Sequence, residues 1–83
     1  MRREPDFFGD EELVLVFMAR RLKHALALEA VLDAGGLDYA VVPAPYESGL
    51  FFRAQRVGAF FYVAPQLQAR ARDLLREHDY TPL

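Results

Sequence analysis

The apolar positions of this chain recur with two different periods. "ELVLVFMA" (12–19) is short, rich in β-branched and aromatic residues, and apolar almost throughout, which predicts a strand. Alternation puts Leu13, Leu15 and Phe17 on one face and Val14, Val16 and Met18 on the other. Both sets are apolar, so the strand is expected to be covered on both sides. "RRLKHALALEAVLDAGG" (20–36) changes to helical spacing, with Leu22, Ala25, Leu28, Val31 and Leu32 as its stripe and Gly35 and Gly36 as its stop. "LDYAVVPAP" (37–45) returns to strand spacing, and Pro43 and Pro45 are expected to end it because proline cannot donate to a ladder. "GAFFYVA" (58–64) is a further strand, with "LFFRAQ" (50–55) as a possible short edge strand before it. Pro65 then opens a second helix with Leu67, Ala71, Leu74, Leu75 and His78 in its stripe, because a first helical position needs no N–H. "YTPL" reads as a short last strand.

The order β-α-β-(β)-β-α-(β) predicts an α+β, ferredoxin-like domain: a small antiparallel sheet with two helices on one face. Residues 1–11 read as an irregular arm whose Phe7 and Phe8 fold back on the domain, and residues 12–83 as the single domain. The other sheet face has no helix, yet Val14, Val16, Met18, Phe60 and Tyr62 are expected there. A bare apolar patch of that kind asks for a cover. The candidates are the arm, a ligand, or a second copy of the chain, and a homo-dimer is the favoured assembly.

Composition narrows the chemistry. The chain has 83 residues, is 53% hydrophobic, and carries a net charge of −2. It is too apolar for a disordered segment, and its charge speaks against nucleic acid and membrane as partners. With no cysteine, thiolate catalysis and cysteine-bound zinc are ruled out. The start "MRREPDFFGDEE" lacks the apolar stretch of a signal peptide, so a soluble cytoplasmic protein is expected. His24 and His78 stand in no metal-ligand spacing and read as surface residues. Glu47, the carboxylate of the Pro-rich stretch, has no paired group for acid–base work. No cofactor and no enzymatic activity are expected.

Two surfaces remain. The stretch 45–57 spans 13 residues between strands, long enough to suggest a contact loop for a protein partner through Tyr46, Glu47, Phe51 and Phe52. "RRLKH" puts cations at a helix start, where free N–H groups favour anions and the dipole opposes cations. Arg20, Arg21 and Lys23, joined by Arg53 and Arg56, form a candidate site for a small anionic ligand, against the plainer reading of a solvated basic turn.

Three resemblances attach to these residues. Arg56, Gly58, Phe60 and Tyr62 look similar to the third-strand pattern of the RNA-recognition motif, and "VFMARRL" to its first-strand motif; Val57 stands where that pattern has glycine, and the chain is acidic. "HALALEAVLDAGGLDYAVVPAPYESGLFFR" resembles a family of small prokaryotic selenium/sulfur carrier-like proteins. Ala25, Leu26, Glu29, Leu32 and Gly35 or Gly36 match its helix, Val42, Pro43 and Pro45 its strand end, and Ser48, Gly49, Leu50 and Arg53 its turn. Ser48 replaces the family's cysteine, and a hydroxyl cannot hold a persulfide, so the carrier role does not transfer. Residues 12–79 resemble small prokaryotic signal-transducing, distantly PII-like proteins through "LEAVLDAGGLDYAVV" and "YVAPQLQARARDLLREHD". That resemblance implies a ferredoxin-like fold and a regulatory or scaffolding role, with no catalytic set.

Overall fold

The computed structural model describes residues 1–48 and 54–83, with side chains for 1–46 and 56–83. Five elements follow one another: β1 (Val14–Ala19), α1 (Leu22–Ala34), β2 (Ala40–Ser48), β3 (Ala54–Val63) and α2 (Gln68–Glu77). Short 3-10 turns cover Pro5–Phe8 and Pro65–Leu67, each with proline where a missing N–H is harmless. The sheet order is β1-β3-β2, antiparallel throughout. Among the described residues the fold is thus a small α+β arrangement of three strands and two helices. No helix among the described residues is long and apolar enough to cross a membrane.

Both helices lie on one face of the sheet. Ala25, Leu28 and Leu32 of α1 and Ala71 and Leu75 of α2 are buried against Val16, Phe61 and Val63. Cross-strand partners share a face, so Phe17, Phe61 and Val41 point to the helices, and Leu15, Tyr62 and Ala40 point away. The register slips between Leu15 and Phe17, which is a β-bulge at Val16. This overturns the expected placement of Val14 and Val16 on the bare face. Val14 pairs with Val63, Val16 is fully buried in the helix-side core, and both belong to that cluster. One extra residue resets the alternation, and no hydropathy pattern records it. Met18, beyond the bulge, does lie on the bare face opposite Phe60.

The second strand is longer than expected. Pro43 and Pro45 do not end it; they pair with Ala59 and Val57 inside the ladder. The reason is the edge position of β2. Tyr39 donates its N–H to the Met1 carbonyl (3.2 Å) and accepts from the Arg3 N–H (2.7 Å), so the odd-numbered residues here turn their backbone groups outward. Pro43 and Pro45 have the same parity, so their nitrogens face the free edge and no ladder bond is lost. Residues 45–57 are therefore not a loop for most of their length: Pro45–Ser48 pairs with Ala54–Val57. Phe51, Phe52 and Arg53, and most of the suggested edge strand, lie outside the described residues.

The ends of the chain pack at opposite edges. Arg2 bridges Tyr39 on the β2 edge, so the arm is less irregular than expected. Phe8 is half-buried, but Phe7 is 54% exposed, edge-on to Phe8 and under the Arg3 guanidinium. "YTPL" is not a strand; it runs beside β1, where Tyr80 stacks edge-on against Phe17 and the Leu83 N–H bonds the Val16 carbonyl (2.9 Å). Leu22 was expected in the α1 stripe, yet it is 75% exposed. It is the first residue of α1 and borders an open slot shared with Pro43 and Val57.

Candidate functional site

Two surfaces stand out, at right angles to each other in chemistry. The first is the sheet face that carries no helix. Leu15 and Met18 of β1, Val42 of β2, and Phe60 and Tyr62 of β3 lie there by register, all half-buried. Gly58 lies among them. A Cβ at that position would sit 2.9 Å from Met18 Sδ and 3.2 Å from the Tyr46 ring. The missing side chain lets Met18 and Tyr46 close over β3 and keeps the face flat. Of the residues expected on this face, Met18, Phe60 and Tyr62 are there, while Val14 and Val16 are not. Leu15 and Val42 are there without having been expected: the bulge hid the first, and the second, inside the expected strand 37–45, was not assigned to a face.

The second surface is cationic. Arg20 follows the last residue of β1, Arg21 is the N-cap residue of α1, and Arg56 faces Tyr46 across the β2–β3 ladder. Among the described residues, these four line one cavity of about 490 Å³. The Arg20 guanidinium lies 5.6 Å from the centre of the Tyr46 ring, a cation–π distance that ties the end of β1 to the hairpin. Arg21 makes no side-chain capping bond, and no acidic residue occupies the first turn of α1. An apolar slot of about 200 Å³ adjoins this cavity; Arg20 and Arg21 line both, with Leu22, Pro43 and Val57 in the slot. Of the expected anion-binding residues, Arg20, Arg21 and Arg56 come together, Lys23 is exposed on α1 and does not line the cavity, and Arg53 lies outside the described residues. Tyr46, expected as a partner contact of a loop, is instead a strand residue in the wall of this cavity. Glu47 is also a strand residue, paired with Gln55.

A third cluster joins the arm to α1. The Tyr39 side chain is fully buried, with its hydroxyl 3.1 Å from Asp33 Oδ1 and 3.3 Å from Glu29 Oε1. Burial, then the hydrogen bond to Asp33 and the two negative charges, push its pKa well above the ordinary tyrosine value. Arg2 pairs with Glu29 (3.6 Å) and Arg3 with Asp38 (3.0 Å). The sequence reading missed this cluster, although Glu29 and Asp33, four residues apart, had to share a helix face. Its ion pairs fasten the arm to α1 and to the residues before β2, beside an open cavity of about 580 Å³ lined by Met1, Arg3, Asp33, Gly36 and Asp38. Among the described residues, no group of three or more His, Asp or Glu side chains could hold a metal ion.

No family model, no curated protein and no solved structure matches the chain. The geometry of these surfaces is thus the ground for assigning function.

Proposed function

We propose that this chain is a small, non-catalytic interaction module that self-associates through its bare sheet face. The observation that carries the reading is the patch of Leu15, Met18, Val42, Phe60 and Tyr62, apolar and uncharged at its centre, on the side without helices. Two identical patches of this kind meet without charge repulsion, as a two-fold symmetric contact requires. Association through the strand edges is disfavoured, because Pro43, Pro45 and the arm occupy one edge and the C-terminal residues the other.

The size of the face sets the strength. Three strands of these lengths cover roughly 400 Å² of flat sheet, against about 800 Å² of accessible surface per partner in a standard interface. A weak dimer, forming in the micromolar range, follows. The β1-β3-β2 order, with the last residues along the free edge of β1, supports a ferredoxin-like relation in which the final strand is reduced to one backbone bond. The PII-like resemblance is in keeping with a regulatory or scaffolding role in the cytoplasm.

Light scattering after size exclusion tests the reading on the wild type and on Tyr62→Glu, over loading concentrations from about 10 to 500 µM, which bracket the expected affinity. The expected mass rises from 9.5 kDa toward twice that value in the wild type and stays at 9.5 kDa in the variant, with unchanged circular dichroism. A wild type that remains monomeric throughout overturns it.

A further inference from the structure

We infer that the cavity formed by Arg20, Arg21, Tyr46 and Arg56 binds a small phosphomonoester. Three guanidinium groups come to one cavity from three places: the end of β1, the start of α1 and the beginning of β3. The chain as a whole is acidic, so this concentration of positive charge is local and runs against the overall balance. All three are arginines, whose planar forks match the oxygens of a phosphate in pairs, as lysine cannot. The start of α1, a helix of 13 residues, adds the positive end of its dipole to the same spot. Tyr46 adds a phenol, and its ring is already held against Arg20.

The surroundings say more about the ligand. The cavity of about 490 Å³ falls within the range of small-molecule sites and exceeds what a bare phosphate fills. The slot that shares Arg20 and Arg21 is walled by Ala19, Leu22, Pro43, Val57 and Ala59, with Leu22 and Val57 largely exposed. By register Pro43, Val57 and Ala59 lie on the helix face and Tyr46 and Arg56 on the other, so an apolar or aromatic body attached to the phosphate covers these side chains by passing around the edge of β3 beside Arg20 and Arg21, which line both spaces. A compact aromatic phosphomonoester therefore fits better than inorganic phosphate. The cavity lies on the same sheet face as the self-association patch, next to its Met18 end and away from Tyr62, so Tyr62→Glu should leave phenyl phosphate binding unchanged and keeps the two readings distinguishable.

The test is thermal unfolding and calorimetric titration of the full chain with phenyl phosphate, inorganic phosphate, and sodium chloride at matched ionic strength. Phenyl phosphate should raise the melting temperature in a concentration-dependent way and bind at least 10-fold tighter than inorganic phosphate. Arg20→Gln and Arg56→Gln should each weaken it 10-fold or more, Arg56→Lys should recover only part of the loss, and Lys23→Gln should bind as the wild type does. Circular dichroism checks that each variant folds, and Arg56→Lys keeps the test valid if a glutamine variant does not. Binding should also strengthen as the pH rises through the second phosphate ionisation near 6, where the dianion forms. No response to phenyl phosphate at 10 mM overturns the inference, with ~10 mM taken as the weakest useful affinity. So does an equal loss in Lys23→Gln, which would mean diffuse surface charge. A single-stranded RNA oligomer run in parallel guards against a polymeric anion: RNA binding without any response to phenyl phosphate overturns it as well.

Discussion

Tyr39 shows how a single side chain ties three parts of the molecule together. Its ring packs at a tilt against Phe61 in the core, its backbone takes up the arm, and its hydroxyl reaches two carboxylates of α1. Tyr39→Phe removes the hydroxyl and should destabilise the domain by about 1.5–3 kcal/mol at pH 7, the usual worth of a hydrogen bond to a charged group. The pH dependence has a definite sign. The native state holds the Tyr39 proton more tightly than the unfolded chain does, so its contribution is complete below about pH 10 and is lost as the pH rises beyond that. Urea midpoints at pH 8 and pH 11 check this. The wild type should lose more stability between the two than Tyr39→Phe, and equal losses would contradict the account. At the same scale, Val16 shows why reading faces from alternation fails locally. Its hydrophobicity is the same on either side of the sheet, and only the bulge places it among the helices.

At the scale of elements, the edge of β2 is the informative one. Prolines inside a strand usually mark its end, because a proline breaks a ladder in which both sides are paired. Here, among the described residues, β2 ladders with β3 alone, and two prolines spaced by two turn their nitrogens to the other side. They deny a further strand its N–H donors along that edge. Pro43→Val with Pro45→Thr restores both donors. The double variant should keep its stability within about 1 kcal/mol, the span of strand propensities, but should associate edge to edge. Concentration-dependent light scattering above that of the wild type, abolished neither by Tyr62→Glu nor by phenyl phosphate, is the expected result. Scattering equal to the wild type would mean that the prolines protect nothing. The helices carry a plainer lesson. Ala25, Leu28, Leu32, Ala71 and Leu75 were readable from helical spacing and are buried as that spacing requires. Leu22 shared the spacing and is exposed, because the stripe tells which way a residue points, not whether another element is there to meet it.

For the whole molecule, the arm is a strap. Residues 1–3 lie on the outer edge at the start of β2, and β1 begins two strand positions away, so the intervening residues cross the width of the sheet at that end. Arg2 and Arg3 fasten the strap to Glu29 and Asp38 through ion pairs that are partly open to solvent. Such pairs are worth little singly and are screened by salt. Arg2→Gln with Arg3→Gln should therefore cost about 1 kcal/mol in low salt and almost nothing in 1 M sodium chloride. A cost that persists in high salt would show that packing of the arginine stems, rather than their charge, holds the arm.

The periods of the apolar residues, the glycines after Ala34 and the proline before the second helix were enough to set the type and order of the main elements, because these depend on a few neighbouring residues and on backbone chemistry. The same local signals placed Met18, Phe60 and Tyr62 on one face and marked the basic start of α1. Tertiary structure decided the rest. The bulge at Val16, the continuation of β2 through two prolines, and the meeting of Arg20, Arg21, Tyr46 and Arg56 all depend on which strand lies beside which. Arg21 and Arg56 are 35 positions apart in the chain, and only the antiparallel register of the β2–β3 hairpin beside the end of β1 brings them to one cavity.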